Sequence, residues 1–210
     1  MVENLLAVDQ NLFLKLNHWA SPGFDPVMLF LSSPTPWLLL ILVVVIVMLY
    51  GPVKRSRKEN LFILIALALA WGVGDLLSVH LFKEVFERLR PCHEPSLAHQ
   101  VRLVAESCGG QYGFVSSHAT NAFSLALLSS LVFRQRWFTL GVFAWALVVC
   151  YSRIYIGVHY PGDVIGGMFL GLLTGFIIYL ILRMLIPHAS RITRHPSRFT
   201  CCASDQPKKY

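Results

Sequence analysis

Five long apolar runs, separated by short polar links, are the feature that most constrains this chain. They cover residues 27–50, 61–82, 119–133, 137–152 and 164–186. A membrane-spanning helix needs about 20 mostly apolar residues, and here 55% of the 210 residues are hydrophobic and only 14% are charged. The pattern predicts an all-α fold, a polytopic membrane helix bundle with five or six transmembrane helices. A soluble enzyme, a disordered chain and a nucleic-acid module all fit this composition poorly.

The ends of several runs depart from a regular span. Pro34 and Pro36 interrupt the first run, because proline lacks the amide hydrogen that a helix interior needs. We therefore expect a short broken turn there and a regular helix from Trp37, which together count as one span. The runs at 119–133 and 137–152 are short for a span. Their helices must extend into the polar flanks.

The first 25 residues have the pattern of an amphipathic helix. Apolar residues recur at steps of three and four from Leu5 to Trp19, with charged residues such as Asp9 and Lys15 between them. A helix lying in the membrane interface is favoured over a sixth span, because a span would carry these charges into hydrocarbon. The chain thus divides into an interfacial amphipathic helix, a transmembrane domain and a basic cytoplasmic tail, at residues 1–25, 26–187 and 188–210.

Basic residues are distributed unequally between the two sides of such a bundle. Five spans place eleven basic residues on one side, namely Lys54, Arg55, Arg57, Lys58, Arg134, Arg136, Arg191, Arg194, Arg198, Lys208 and Lys209. The other side receives six, namely Lys15, Lys83, Arg88, Arg90, Arg102 and Arg153. The positive-inside rule assigns the first side to the cytoplasm. The 83–117 link would then face the periplasm or exterior of the inner membrane, and the formal charge of +7 requires no nucleic-acid partner.

Cysteine positions follow the same division. Cys92 and Cys108 both fall in the outward link, where thiols can oxidise, so we expect a Cys92–Cys108 disulfide; two unpaired thiols are the alternative. Cys150 lies within a span. Cys201 and Cys202 lie in the predicted tail, as a lipidation site or an ordinary reduced pair.

Three polar clusters in or beside the outward links are not explained by membrane insertion. They are Lys83 to Pro91, Val115 to His118 and Ser152 to Asp163. Together they supply three cations, two histidines, a carboxylate and small hydroxyls. This set suits phosphoryl transfer, whose transition state spreads negative charge over oxygens that cations can hold.

Each cluster also has a simpler interpretation. Lys83 and Arg90 could be interfacial anchors or lipid-headgroup contacts, and His118 could be an interfacial side chain. Two histidines and a carboxylate could bind a metal, but the sequence lacks a dense ligand set, so we predict no metal. Asp75 lies inside a predicted span, where it forms a structural hydrogen bond or has a catalytic role.

In its clusters the chain resembles the type 2 phosphatidic acid phosphatase family, whose signature is K-x6-RP, PSGH and SR-x5-H-x3-D. The first and third elements are complete, and the resemblance extends over about residues 61–186. In the second, Val115 replaces the proline and Ser117 replaces the glycine.

The resemblance implies a role for each motif residue. His159 would attack phosphorus to form a phosphohistidine, Asp163 would orient it, and His118 would protonate the leaving group. Phosphate would be held by the side chains of Lys83, Arg90, Ser116 and Arg153 and by the amide of Ser117. No metal or other cofactor would be needed.

The implied substrate is a phosphate or diphosphate ester of a membrane lipid, hydrolysed at the outer face. Undecaprenyl pyrophosphate and lipid A phosphate are favoured; phosphatidylglycerol phosphate and phosphatidic acid are alternatives, as are lipid-to-lipid phosphotransfer and a non-catalytic lipid-binding role. The 94–112 link, with Arg102, is expected to set specificity because it is the longest link outside the motifs. Tyr155 and Tyr160 would be substrate contacts or interface residues. The oligomeric state is left open.

Overall fold

The computed structural model describes residues 2–51, 55–97 and 99–186, and the chain in these ranges is helical without a strand beyond one isolated bridge. The main helices are α1 Val2–His18, α2 Asp25–Ser32, α3 Thr35–Tyr50, α4 Arg57–Leu76, α5 Ser117–Phe133, α6 Arg136–Tyr155 and α7 Pro161–Leu185. The predicted all-α class is confirmed. The predicted tail at 188–210, with Cys201 and Cys202, lies outside the described residues.

Three helical segments of the described chain are long and apolar enough to cross a membrane, namely Arg57–Phe86, Arg136–Tyr155 and Pro161–Leu185. A fourth candidate is the pair Pro22–Ser32 and Thr35–Tyr50, bent by 58° at its break. Helix α5 has 17 residues, or about 25 Å at 1.5 Å per residue, slightly less than a bilayer core of about 30 Å. Five or six spans therefore stay a prediction.

The break between α2 and α3 lies at the predicted prolines. Helix α2 ends at Ser32, Pro34 caps the next helix, and α3 begins at Thr35, two residues earlier than expected. Pro36 is accommodated in the first turn of α3. Proline is tolerated there because the first amides of a helix have no partner within the helix.

Helix α5 is the centre of the bundle and packs closely against α7. Three glycines of α7, Gly167, Gly171 and Gly175, face the α5 backbone. A Cβ atom built on Gly167 would lie 2.6 Å from the carbonyl oxygen of Ser116. This close approach brings the start of α5 beside the start of α7, where the Ser116 amide donates to the backbone oxygen of Asp163 at 3.0 Å.

Helix α1 packs on the bundle through one face. Phe13 is fully buried, with its ring centroid 5.4 Å from that of Tyr160. Asn17 is also fully buried: its Nδ2 donates to the carbonyl oxygen of Tyr155 at 2.9 Å, and its Oδ1 accepts from the Arg102 amide at 2.8 Å. The opposite face exposes apolar residues such as Leu5. The predicted helix is present and is docked against the links that carry the polar clusters.

Candidate active site

A polar cavity lies where α4 ends and where α5 and α7 begin. It has a volume of about 360 Å³ and is lined by Trp37, Trp71, Asp75, Val79, Lys83, Arg90, Ser117, His118, Asn121, Arg153 and His159. All three polar clusters contribute to it. The structure therefore assembles predicted residues that are up to 76 positions apart in the chain, from Lys83 to His159.

The end of α4 is wound more widely than an α-helix, and this winding positions Lys83. Residues Leu77–Lys83 form a π-helix, followed by a last α-helical turn at Glu84–Phe86. Ser78 and Lys83, five positions apart, both reach the hydroxyl of Ser117: the Ser78 oxygen lies at 2.6 Å, and Lys83 Nζ donates at 2.7 Å. Residues five apart do not share a face of an α-helix, but they do in a π-helix.

His159 is held in the orientation that a nucleophile needs. It is 2% exposed, and its Nδ1 lies 3.4 Å from Oδ2 of Asp163, which is fully buried. The Tyr160 amide donates to the same carboxylate oxygen at 3.0 Å. Because Asp163 lies in the first turn of α7, the helix dipole also favours its negative charge. With Nδ1 engaged, Nε2 is the nitrogen left for substrate.

Burial, together with the positive charges of Arg90 and Arg153, holds the pKa of His159 well below its ordinary value of 6.5. A buried ring beside several cations cannot readily take up another positive charge. His159 is therefore neutral at pH 7, which is the form that can attack phosphorus.

The predicted phosphate cradle contains some side-chain donors that are bonded to the protein and others that have no partner among the described residues. Arg90 is fixed by the outward link: its Nε donates to the carbonyl oxygen of Tyr112 at 3.2 Å and its Nη1 to that of Cys108 at 2.9 Å. Arg153 Nε and the hydroxyl of Ser116 are buried and have no partner among the described residues. Arg153 lines the cavity, whereas Ser116, which was predicted to hold phosphate, is fully buried and does not line it.

His118 enters the cavity from the first turn of α5. Its ring lies 6.0 Å from that of Trp37, edge to face at 66°. His118 and His159 therefore line the same cavity from different elements, as a leaving-group acid and a nucleophile require.

Arg88 is a functional candidate that the sequence did not reveal. Its Nη1 donates to Oδ1 of Asp163 at 2.8 Å, and its Nη2 donates to Oδ2 of Asp9 at 2.7 Å. Asp9 also accepts from the Gly162 amide at 2.8 Å, and Arg88 lies 4.2 Å from the centre of the Tyr160 ring. The only sequence signal was that Arg88 belongs to the first polar cluster, two residues before Arg90.

The two residues predicted to set specificity do not line this cavity. Arg102 forms a two-point ion pair with Asp25, at 3.0 and 2.6 Å. The hydroxyl of Tyr155 lies 2.8 Å from Asp25 Oδ1 and 2.6 Å from the carbonyl oxygen of Ser21. Both side chains therefore tie the outward link and α6 to the start of α2, and the structure gives them no contact with the phosphate site.

Two cysteines of the outward link are joined. Cys92 and Cys108 form a disulfide with their Cα atoms 6.1 Å apart. The bond lies beside the cradle, because Arg90 precedes Cys92 closely and donates to the Cys108 carbonyl oxygen. Cys150 is a free, buried cysteine.

Several known proteins are similar to this chain. The profile of the PAP2 superfamily matches residues 60–187. The chain is 38% identical to a lipid A 4′-phosphatase of Porphyromonas gingivalis, over 86% of this chain and 75% of that protein. It is 31% identical to a lipid A 4′-phosphatase of Bacteroides thetaiotaomicron, over 94% and 87%.

A solved structure shares the fold. The crystal structure of a transmembrane PAP2-type phosphatidylglycerolphosphate phosphatase from Bacillus subtilis matches with a TM-score of 0.65 and 25% identity, over 87% of this chain and 88% of that one. The family profile covers well over half of the chain and includes all three polar clusters. The chain is therefore a phosphatase of the PAP2 superfamily.

Proposed function

We propose that this phosphatase hydrolyses a phosphate ester of lipid A at the outer face of the inner membrane. One observation carries the proposal: the buried His159, which contacts Asp163, lies in one cavity with Lys83, Arg90 and Arg153. That arrangement places a nucleophile inside a cationic site, as phosphoryl transfer requires.

The proposed reaction has two balanced steps. In the first, His159 Nε2 attacks phosphorus, the bond from phosphorus to the lipid oxygen breaks, and His118 gives that oxygen a proton. In the second, His118 takes a proton from water, the water oxygen attacks phosphorus, and the phosphorus–nitrogen bond breaks. Inorganic phosphate leaves and His159 is restored. The cations of the cradle stabilise the charge on the phosphoryl oxygens in both steps.

Lipid A phosphate is preferred among the candidate substrates because the two relatives described above, which are 38% and 31% identical to this chain, are lipid A 4′-phosphatases. Undecaprenyl pyrophosphate, phosphatidylglycerol phosphate and phosphatidic acid present the same phosphoryl group to the cradle. They are therefore the substrates against which lipid A has to be tested.

We further propose five spans: the α2–α3 pair, α4 with its π-helical extension, α5, α6 and α7. The central position of α5 supports its inclusion, since its polar first turn meets the cavity and its remaining length is largely buried by other helices. The disulfide supports an outward cavity, because disulfides persist on the oxidising side of the membrane.

The proposal is tested by measuring phosphate release from the detergent-purified protein in excess chelator. The panel is lipid A, undecaprenyl pyrophosphate, phosphatidylglycerol phosphate and phosphatidic acid. We expect release from lipid A to be fastest and to fall at least about a thousandfold in His159→Ala, since the covalent step is lost. His80→Ala is the matched control, because His80 is exposed and pairs with Glu84 outside the cavity.

Full activity in His159→Ala would contradict the histidine mechanism. Release only after an acceptor lipid is added would replace hydrolysis by phosphotransfer. A phosphoenzyme that is stable to alkali and labile to acid, formed by the parent chain and absent from His159→Ala, would support the covalent intermediate.

A further inference from the structure

Besides Val79, four residues of the cavity have no part in the phosphate chemistry. They are Trp37 on α3, Trp71 and Asp75 on α4, and Asn121 on α5. The proposed role of His118 indicates which part of the substrate they face. In the proposed reaction His118 protonates the lipid oxygen, so the alcohol part of the substrate lies beside His118. Because Trp37 contacts His118 edge to face, this wall of the cavity faces the leaving group.

The two tryptophans form a fixed aromatic surface. Trp37 is buried between Trp71 and Trp145, with ring centroids 5.2 and 5.0 Å away. Trp71 keeps 38% of its surface exposed. With the Asn121 amide in its bonded orientation, Oδ1 accepts from Trp71 Nε1 at 3.0 Å and Nδ2 donates to the Trp71 carbonyl oxygen at 3.2 Å. The indole N–H is therefore occupied, and the ring offers an apolar face.

Asp75 adds a carboxylate to the same wall. It follows Trp71 by four positions, so the two side chains lie on one face of α4. Its carboxylate has no hydrogen bond or ion pair with any described residue. A carboxylate in an apolar membrane helix is costly, so its presence points to a function, and an ionised carboxylate accepts hydrogen bonds only.

We infer that Trp37, Trp71 and Asp75 form a subsite for a sugar ring that bears the scissile phosphate. A pyranose ring has an apolar face of C–H groups, which packs on aromatic rings, and hydroxyl donors around its edge, which a carboxylate can accept. Diacylglycerol and polyprenyl phosphates lack such a ring at this position. A diphosphate would also bring a second anion toward Asp75. The inference rests on the proposed function and assigns the headgroup class as a phosphorylated sugar.

The subsite is tested by two variants, Asp75→Asn and Trp71→Leu, and by the ratio of kcat/KM for two substrates. One substrate is lipid A, a phosphorylated glucosamine disaccharide; the other is phosphatidic acid, which has no sugar. We expect each variant to lower kcat/KM for lipid A at least about tenfold, because a hydrogen bond to a charged group or a stacked ring is lost. The value for phosphatidic acid should change less than about threefold.

Matched controls are available outside the cavity. Glu84→Gln removes an exposed carboxylate of the α4 extension that pairs with His80, and Trp137→Leu removes an exposed tryptophan of α6. Neither residue lines the cavity. Both controls should leave the lipid A to phosphatidic acid ratio unchanged.

Equal losses on both substrates would overturn the inference. They would mean that Asp75 acts on Lys83, which lines the same cavity, and that Trp71 acts through packing. Unchanged kcat/KM for lipid A in both variants would overturn it as well. The proposed function is judged separately: His159-dependent phosphate release from lipid A upholds it, whatever the subsite variants do.

Discussion

The carboxylate of Asp163 is shared between two basic groups. Its Oδ2 faces His159, and its Oδ1 accepts from Arg88, which in turn binds Asp9 of α1. Arg88 contacts neither the cavity nor the expected position of the phosphate. We therefore expect Arg88 to act as a positioning residue, because it holds the carboxylate that orients His159.

Neutralising Arg88 should consequently impair turnover more than binding. In Arg88→Gln we expect kcat to fall about tenfold with KM changed less than about threefold, since a misoriented nucleophile still faces an intact cradle. Asp9→Asn should have a smaller effect in the same direction. Steady-state kinetics on lipid A provide both numbers. A rise in KM without loss of kcat would instead place Arg88 among the substrate contacts.

The lowered pKa of His159 determines the acid limb of the pH profile. Because burial and nearby cations depress this pKa, the ring stays neutral and active as the pH falls past 6.5, and protonation removes activity only at lower pH. The acid limb of kcat/KM should therefore lie below pH 6.5. Arg90→Gln removes one positive charge, so the pKa of His159 should rise and the limb should move to higher pH. A limb that stays in place would contradict this assignment.

At the scale of elements, the contact between α5 and α7 sets the geometry of the site. Glycines in α7 let its backbone approach α5 so closely that Ser116 bonds to Asp163. The π-helical end of α4 then meets the start of α5 through Ser117. Ser117 stands where the family motif has glycine, and its hydroxyl is hydrogen-bonded to two neighbours, Ser78 and Lys83.

A side chain in this contact should separate the two helices. Gly167→Ala should destabilise the protein by about 1–3 kcal/mol through overpacking, because the new Cβ would meet the Ser116 carbonyl oxygen at 2.6 Å. Gly141→Ala is the control, since nothing lies within 4 Å of a Cβ there. Thermal unfolding in detergent, followed with phosphate release, measures both effects. Equal melting temperatures for the two variants would contradict the packing role.

At the scale of the whole molecule, the distribution of basic residues and the Cys92–Cys108 disulfide both support the proposed orientation in the membrane. The basic links that precede α4 and α6 lie on the predicted cytoplasmic side, and the disulfide and the cavity lie at the other end of α4. Lys58 is an exposed residue in the first turn of α4, and Ser96 is an exposed residue of the link that follows the other end of this helix.

This orientation predicts a labelling pattern in intact cells. Ser96→Cys should react with a membrane-impermeant thiol reagent, whereas Lys58→Cys should react only after lysis. The parent chain gives the background from Cys201 and Cys202. The reverse pattern would turn the active site toward the cytoplasm and would contradict the outward placement.

The sequence by itself determined the membrane class, the helix break at Pro34 and Pro36 and the phosphatase family. These properties depend on local features: hydropathy over a span, the missing amide hydrogen of proline, and fixed spacing such as the four positions from His159 to Asp163. Such features survive in any fold that the chain adopts. They could therefore be read without knowing which helices are neighbours.

Only the tertiary structure decided the long-range partners. Arg88 with Asp9, Lys83 with Ser117, and Arg102 with Asp25 are each separated by 34 or more positions. Arg102 was expected to set substrate specificity, yet its charge is matched by Asp25 at the start of α2. Helix packing determines such pairs. The partner of a basic residue on a link therefore cannot be predicted from the sequence alone.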